Sequence, residues 1–188
     1  VGGLRDVRQI AIGPQEEVVV ATAEGLFQRG GQGFEKLLPH DGKKSWAPRD
    51  VRGVTFGRDG ALWFACAQGV GSKAGEKWSL YTGQEGLPYD DFTVVASGEP
   101  GVIWFGTKIG AIRYNGKNWN YRRSRRWVPD DNIKGMAVQS NGDAWFATSK
   151  GVGHLERKTM TLAEKAKFFE DEIDKYHRRT EYGYVLGV

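Results

Sequence analysis

An all-β fold assembled from repeated antiparallel four-stranded sheets is what this chain predicts, on three observations. Four segments are near copies of one another: Val20-Ala21-Thr22-Ala23-Glu24-Gly25, Trp63-Phe64-Ala65-Cys66-Ala67-Gln68-Gly69, Trp104-Phe105-Gly106-Thr107-Lys108-Ile109-Gly110 and Trp145-Phe146-Ala147-Thr148-Ser149-Lys150-Gly151. Their closing glycines recur at a spacing of roughly forty residues, the period of stacked sheet units such as propeller blades. The repeated residues are strand formers bounded by tight-turn pairs. The expectation is a β-propeller segment of about four four-stranded blades, part of a larger ring, followed by a C-terminal α-helix.

The third repeat shows the plan of one blade. Residues 92–97 alternate and read as strand A, and Gly98-Glu99-Pro100-Gly101 turns. Residues 102–107 are apolar throughout, as a strand covered on both faces should be, and form strand B. Strand C runs over 111–114. Asn115-Gly116 is a hairpin signal, because both central positions of such a turn want positive φ. Strand D covers 118–122. Asp59-Gly60 and Asn141-Gly142 mark the A–B turns of repeats two and four, and Gly30-Gly31 and Lys73-Ala74-Gly75 mark C–D turns. Linkers containing Pro39, Pro88 and Pro129 stiffen the crossing between blades. The Trp-Phe pairs alternate faces, so each blade packs on both neighbours and these rings read as core.

The expected organisation is a propeller segment over 1–156, with blades at about 1–45, 46–86, 87–128 and 129–156, and a helix with its linker over 157–188. No strand D follows Leu155. Thr161-Leu162-Ala163-Glu164 instead reads as a capping box, and Leu162, Ala166, Phe169, Ile173 and Tyr176 recur at helical spacing. The chain starts almost at a strand A and lacks a last strand D, so further blades or copies of the same chain are expected to complete the ring.

Composition agrees with many short strands and tight turns: 188 residues with 27 glycines, 6 prolines, 7 tryptophans and 9 phenylalanines. No apolar run reaches the roughly eighteen residues of a membrane helix, so no membrane contact is expected of this segment. No charged-then-apolar leader opens the chain. Cys66 is the only cysteine, which excludes a disulfide framework, and it reads as a small buried side chain. A net charge of +4 permits an anionic partner without demanding one.

The string Gly86-Leu87-Pro88 with residues 102–116 resembles the two-component regulator propeller repeat, and the resemblance extends over about 4–155. Repeat one departs most, with Val19-Val20 in place of Trp-Phe. Members of that family build rings of about seven blades. Some are periplasmic sensor halves of hybrid histidine kinases that detect polysaccharide fragments; others precede a helical domain in proteins acting on glycans. The helical tail here is more similar to the second arrangement. The resemblance favours an extracytoplasmic location.

In a propeller the B–C and D–A connections share one face, the usual ligand face. That face carries Lys108 and Lys150 from B–C connections, and His40, Asp41, Lys43 and Lys44 from the first linker. Tyr89, Asp90 and Asp91 come from the second, and Arg122, Arg123, Arg125, Arg126 and Trp127 from the third. Arginine forks suit carboxylates, and Trp127 or Trp119 offers a ring on which a sugar stacks. An acidic polysaccharide is the partner this predicts. Nucleic acid is disfavoured, since the charge excess is small and no recognised binding module is present. His40, His154 and His177 lack metal-ligand spacing, and no Walker loop or nucleophile elbow is present, so neither a metal nor a cofactor is expected. His154 reads as a packed strand residue, and no catalytic set is visible. The leading reading is a non-catalytic scaffold or recognition module within a larger glycan-active or sensory protein. The alternative is part of a polysaccharide lyase or glycoside hydrolase whose catalytic residues lie partly outside this segment.

Overall fold

The computed structural model describes residues 3–40, 46–125 and 127–179, the side chains of 169 and 172–179 excepted. It divides into two units, Val1–Glu156 and Arg157–Val188. The first is a succession of propeller blades. Blade 1 comprises β1 (Val7–Ile12), β2 (Val18–Thr22), β3 (Gly25–Gly30) and β4 (Gly33–Lys36). Blade 2 comprises β5 (Gly53–Phe56), β6 (Leu62–Cys66), β7 (Gly69–Ala74) and β8 (Lys77–Tyr81). Blade 3 comprises β9 (Phe92–Ser97), β10 (Ile103–Thr107), β11 (Gly110–Tyr114) and β12 (Trp119–Arg122). Blade 4 has β13 (Ile133–Val138), β14 (Ala144–Thr148) and β15 (Gly151–Leu155) and is three-stranded. Each sheet is an antiparallel meander in chain order, as the turn signals require. The innermost strands pack side by side, β1 on β5, β5 on β9 and β9 on β13; β1 and β13 are not packed on one another in this way.

Alternation along the second strand of each blade builds the junctions. The Trp position faces forward and the following Phe faces back. Trp63 therefore meets Phe105 of the next blade at 6.5 Å between ring centroids, and Trp104 meets Phe146 at 5.6 Å. Three buried clusters result, one per junction. Blade 1 has Val19 at the forward position, too small to fill its share. Trp46 from the following linker supplies the missing ring, 5.9 Å from Phe64.

The inner edge is tight. The Gln9 side chain on β1 passes over Gly53 and pairs with Val95 on β9: its amide donates to the Val95 carbonyl at 2.7 Å, and its oxygen accepts from the Val95 N–H at 3.2 Å. A Cβ at Gly53 would stand 2.7 Å from that oxygen, so only glycine admits the crossing. Asp50 adds a second tie between blades 1 and 2. It accepts from Arg8 of β1 and, at 2.6 Å, from Arg52.

Each B–C turn is held by its own hydroxyl. Thr22, Thr107 and Thr148 donate to the carbonyls of Gly25, Gly110 and Gly151 at 3.0, 2.8 and 2.8 Å. Cys66 occupies the same place in blade 2 and is buried, so its small side chain fits the core as expected. In the second unit, helix α1 spans Leu162–Arg179. The capping box forms, with the Thr161 N–H donating to Glu164 at 2.7 Å and the Glu164 N–H to Thr161 Oγ1 at 3.3 Å. Of the expected apolar stripe, the side chains of Phe169, Ile173 and Tyr176 lie outside the described residues.

Candidate functional site

The densest cationic cluster sits where blade 3 hands over to blade 4. Strand β12 pairs Arg122 with Ala111 and Asn120 with Arg113, so Arg113 and Arg122 share the forward face of blade 3 as diagonal neighbours. Diagonal cross-strand partners lie within about 7–8 Å. The equivalent of Arg122 is Leu37 in blade 1 and Tyr81 in blade 2, apolar groups that pack against the next blade. Tyr81 is covered by Trp119, from the outermost strand of blade 3, at 5.5 Å. Blade 4 has no such strand among the described residues, and the space above Arg113 and Arg122 is left uncovered by it. Trp127 forms one wall, its ring 4.6 Å from the Arg122 guanidinium carbon.

The electrostatics of this gap are unusual for a repeat protein. Arg122 Nε is buried without a hydrogen-bond partner, while Nη1 donates only to the carbonyl of Tyr121 at 3.0 Å. Burial, and then the like charge of Arg113, pulls the Arg122 guanidinium below its ordinary value; burial does the same to Arg113. Two cations thus share a half-buried face with no carboxylate paired to either among the described residues. An anion supplies what both lack.

The linker over 123–132 fixes this arrangement. Ser124 adopts φ of 72° and accepts from the Trp127 N–H at 2.9 Å, which turns Trp127 back onto Arg122. Asp131 receives the Ser124 N–H at 2.6 Å and lies 3.9 Å from Arg123 Nε. Asp130 accepts from Ser149 Oγ at 2.5 Å and lies 3.7 Å from Lys150 Nζ. Arg123 and Lys150 are therefore paired to carboxylates at the rim, whereas Arg125 is exposed and Arg126 lies outside the described residues. Tyr89 packs edge-on against Tyr121 at 5.9 Å, beside strand β12.

The other expected residues do not join this group. His40 is exposed in the first linker, and its neighbours Asp41, Lys43 and Lys44 lie outside the described residues. The Lys108 N–H donates to the Asp91 carbonyl at 3.2 Å. Burial raises the Asp91 carboxyl, and the charge of Lys108 offsets this only in part. Of the two candidate stacking rings, Trp119 is committed to the core, 4.3 Å from Tyr114, and Trp127 alone stands at the gap. His154 differs from the packed strand residue expected: it stacks on Trp145 at 4.0 Å and meets Asp143 at 3.2 Å on a face that no blade covers. Arg113 was not singled out by the sequence. It falls in the part of the repeat that matches the family string, and only the comparison with Gln28 and Ser72 at the same rung marks it as a departure.

A separate cleft of about 450 Å³ lies between blades 1 and 2, lined by Pro14, Glu17, Gln28, Asp59, Lys73 and Glu76 among others. It opens toward the A–B and C–D turns and holds none of the expected ligand residues.

No family model and no curated protein matches the chain. Solved structures share its fold. The extracellular domain of a hybrid two-component system from B. thetaiotaomicron has 14% identity and a TM-score of 0.66, over 81% of this chain and 23% of that one. A virginiamycin B lyase from Staphylococcus aureus has 13% identity and a TM-score of 0.61, over 84% and 54%. A gluconolactonase from Xanthomonas campestris has 14% and 0.57, over 80% and 58%. The chain spans about half the length of the lyase and gluconolactonase and under a quarter of the sensor domain. These likenesses establish the β-propeller fold and leave activity to the residues.

Proposed function

We propose that this propeller segment is a non-catalytic recognition module that binds an acidic oligosaccharide at the junction of blades 3 and 4, within a larger glycan-active or sensory protein. The observation that carries the reading is the uncompensated Arg113–Arg122 pair, with Arg122 Nε buried and without a partner. A uronate carboxylate matches the guanidinium fork and supplies the acceptor that Nε lacks. The exposed part of Trp127 gives the sugar ring an apolar face to lie against. The rim cations Arg123, Arg125 and Lys150 add a weaker, salt-screened attraction for neighbouring carboxylates along a chain. The structural neighbours with sensor and glycan-related names are compatible with this reading and do not carry it.

Calorimetric titration of the chain with a galacturonate oligomer tests it. Arg122→Leu installs the residue that blade 1 carries at this place, so the blade is expected to stay folded. Loss of one charge-assisted contact lowers affinity roughly tenfold to a hundredfold. Added salt weakens wild-type binding and affects the variant less. Equal affinity for the two proteins, or equal affinity for a neutral oligomer of the same length, would remove the proposal.

A further inference from the structure

The three blade junctions inside the chain are built alike: the forward face of one sheet meets the back face of the next. The first and last blades each leave one such face uncovered. On blade 4, Val152 is 69% exposed, whereas Val70 at the same place in blade 2 is 0% exposed. Trp145 is 38% exposed against 1% for Trp104. On the back of blade 1, Ile10 is 58% exposed, whereas its counterpart Val54 is 0% exposed. Ile12 beside it is exposed too.

The back of blade 1 keeps the chemistry of a blade back in altered form. Blade 2 has Phe64 on the second strand opposite Gly71 on the third, and a Cβ at Gly71 would lie 2.1 Å from the Phe64 ring. Blade 1 reverses the pair, with Val20 opposite Phe27. The aromatic bulk moves one strand outward and the volume of the pair is kept, which is how packed cores tolerate change. The face therefore still offers a ring and aliphatic groups to an incoming Trp, as Phe146 does to Trp104.

We propose that these two faces are the halves of one blade-to-blade interface and that a second copy of this chain covers both, head to tail. The argument is continuity with the existing junctions: one chain carries both complementary faces, so a two-fold arrangement satisfies each forward face with the partner's back face. Two copies bring the blade number to about eight, the top of the range that propellers occupy, and a third copy would exceed it. This pairing is independent of the anion site at the blade 3–4 junction.

Light scattering and sedimentation of the full chain test the pairing. The wild type forms a two-chain species that dissociates on dilution. Val152→Glu blocks the forward face and Ile10→Glu the back face; both sites are exposed, so circular dichroism of each variant matches the wild type. Each variant alone is monomeric, because closing the ring would bury an unpaired carboxylate. An equimolar mixture regains a two-chain species, weaker than the wild type, through the one junction that both substitutions leave intact. A wild-type monomer at every concentration, a dimer that survives either substitution, or a mixture that stays monomeric overturns the proposal.

Discussion

Replacing the closing glycine of a repeat by alanine has a cost that depends on which blade it sits in. Gly110 has φ of +130° and a Cβ there would stand 2.4 Å from the carbonyl oxygen of Arg122. Gly151 has nearly the same conformation, φ of +124°, with nothing within 4 Å, because blade 4 has no outermost strand against it. Both substitutions carry the strain of a left-handed backbone, about 1–3 kcal/mol. Gly110→Ala also forces strand β12 off β11, and overpacking of that kind costs about 1–3 kcal/mol more. Gly151→Ala is therefore expected to lose about 1–3 kcal/mol and Gly110→Ala about 2–6. For a domain of this size each kcal/mol lowers Tm by about 2–4 °C. Urea unfolding followed by tryptophan fluorescence measures both. Equal losses for the two variants would refute the reasoning, since the difference between them isolates the fourth strand.

Other consequences follow from the same contacts. Burial pushes the Cys66 thiol up to about 11, so it stays protonated and unreactive toward a disulfide reagent at about pH 8 until the protein unfolds; rapid native-state labelling contradicts this. Cys66→Thr restores the hydroxyl that holds the other B–C turns and should leave stability unchanged or raise it by about 1 kcal/mol in urea; a large loss would mean the turn is not held in this way. Burial pushes the Asp50 carboxyl up, but hydrogen bonds from Arg8 and Arg52, with their charges, outweigh it and hold the group below its ordinary value. Its contribution is therefore present above about pH 4 and is lost as pH falls through the depressed folded value. With its side chain 37% exposed, that contribution is about 1 kcal/mol at most. The stability gap between wild type and Asp50→Asn should close on acidification, and a gap that is constant with pH argues against the tie.

The blades were legible because each is a local object. A strand, a tight turn and the next strand lie within a few residues, and the closing glycines recur wherever the B–C turn needs positive φ. The roles of the rings were legible only in outline. Alternation shows that Trp104 and Phe105 face opposite ways; it does not show that Trp104 always looks forward to Phe146. Nor does it show that Trp46 comes from a linker to replace the ring that Val19 cannot supply. Gln9 was invisible, since its partners on β9 are remote in sequence and an isolated glutamine carries no pattern. The short 3-10 helix at Gly83–Glu85, capped by Thr82 and Glu85, was likewise read as plain linker. The arginine run pointed to the right linker, but its most exposed members are not the half-buried pair at the junction. Arg122 stands out because Leu37 and Tyr81 hold its place elsewhere, and Arg113 because it shares its face. Both are facts of register across blades, and a linear reading of one repeat does not contain them.

A structure of the chain with a galacturonate oligomer tests the functional account most directly. The account predicts a carboxylate oxygen within hydrogen-bond reach of Arg122 Nε, Arg113 turned toward the same group, and a sugar ring against Trp127. An oligomer bound in the cleft between blades 1 and 2, or bound at the junction while Arg122 Nε stays without a partner, would contradict it.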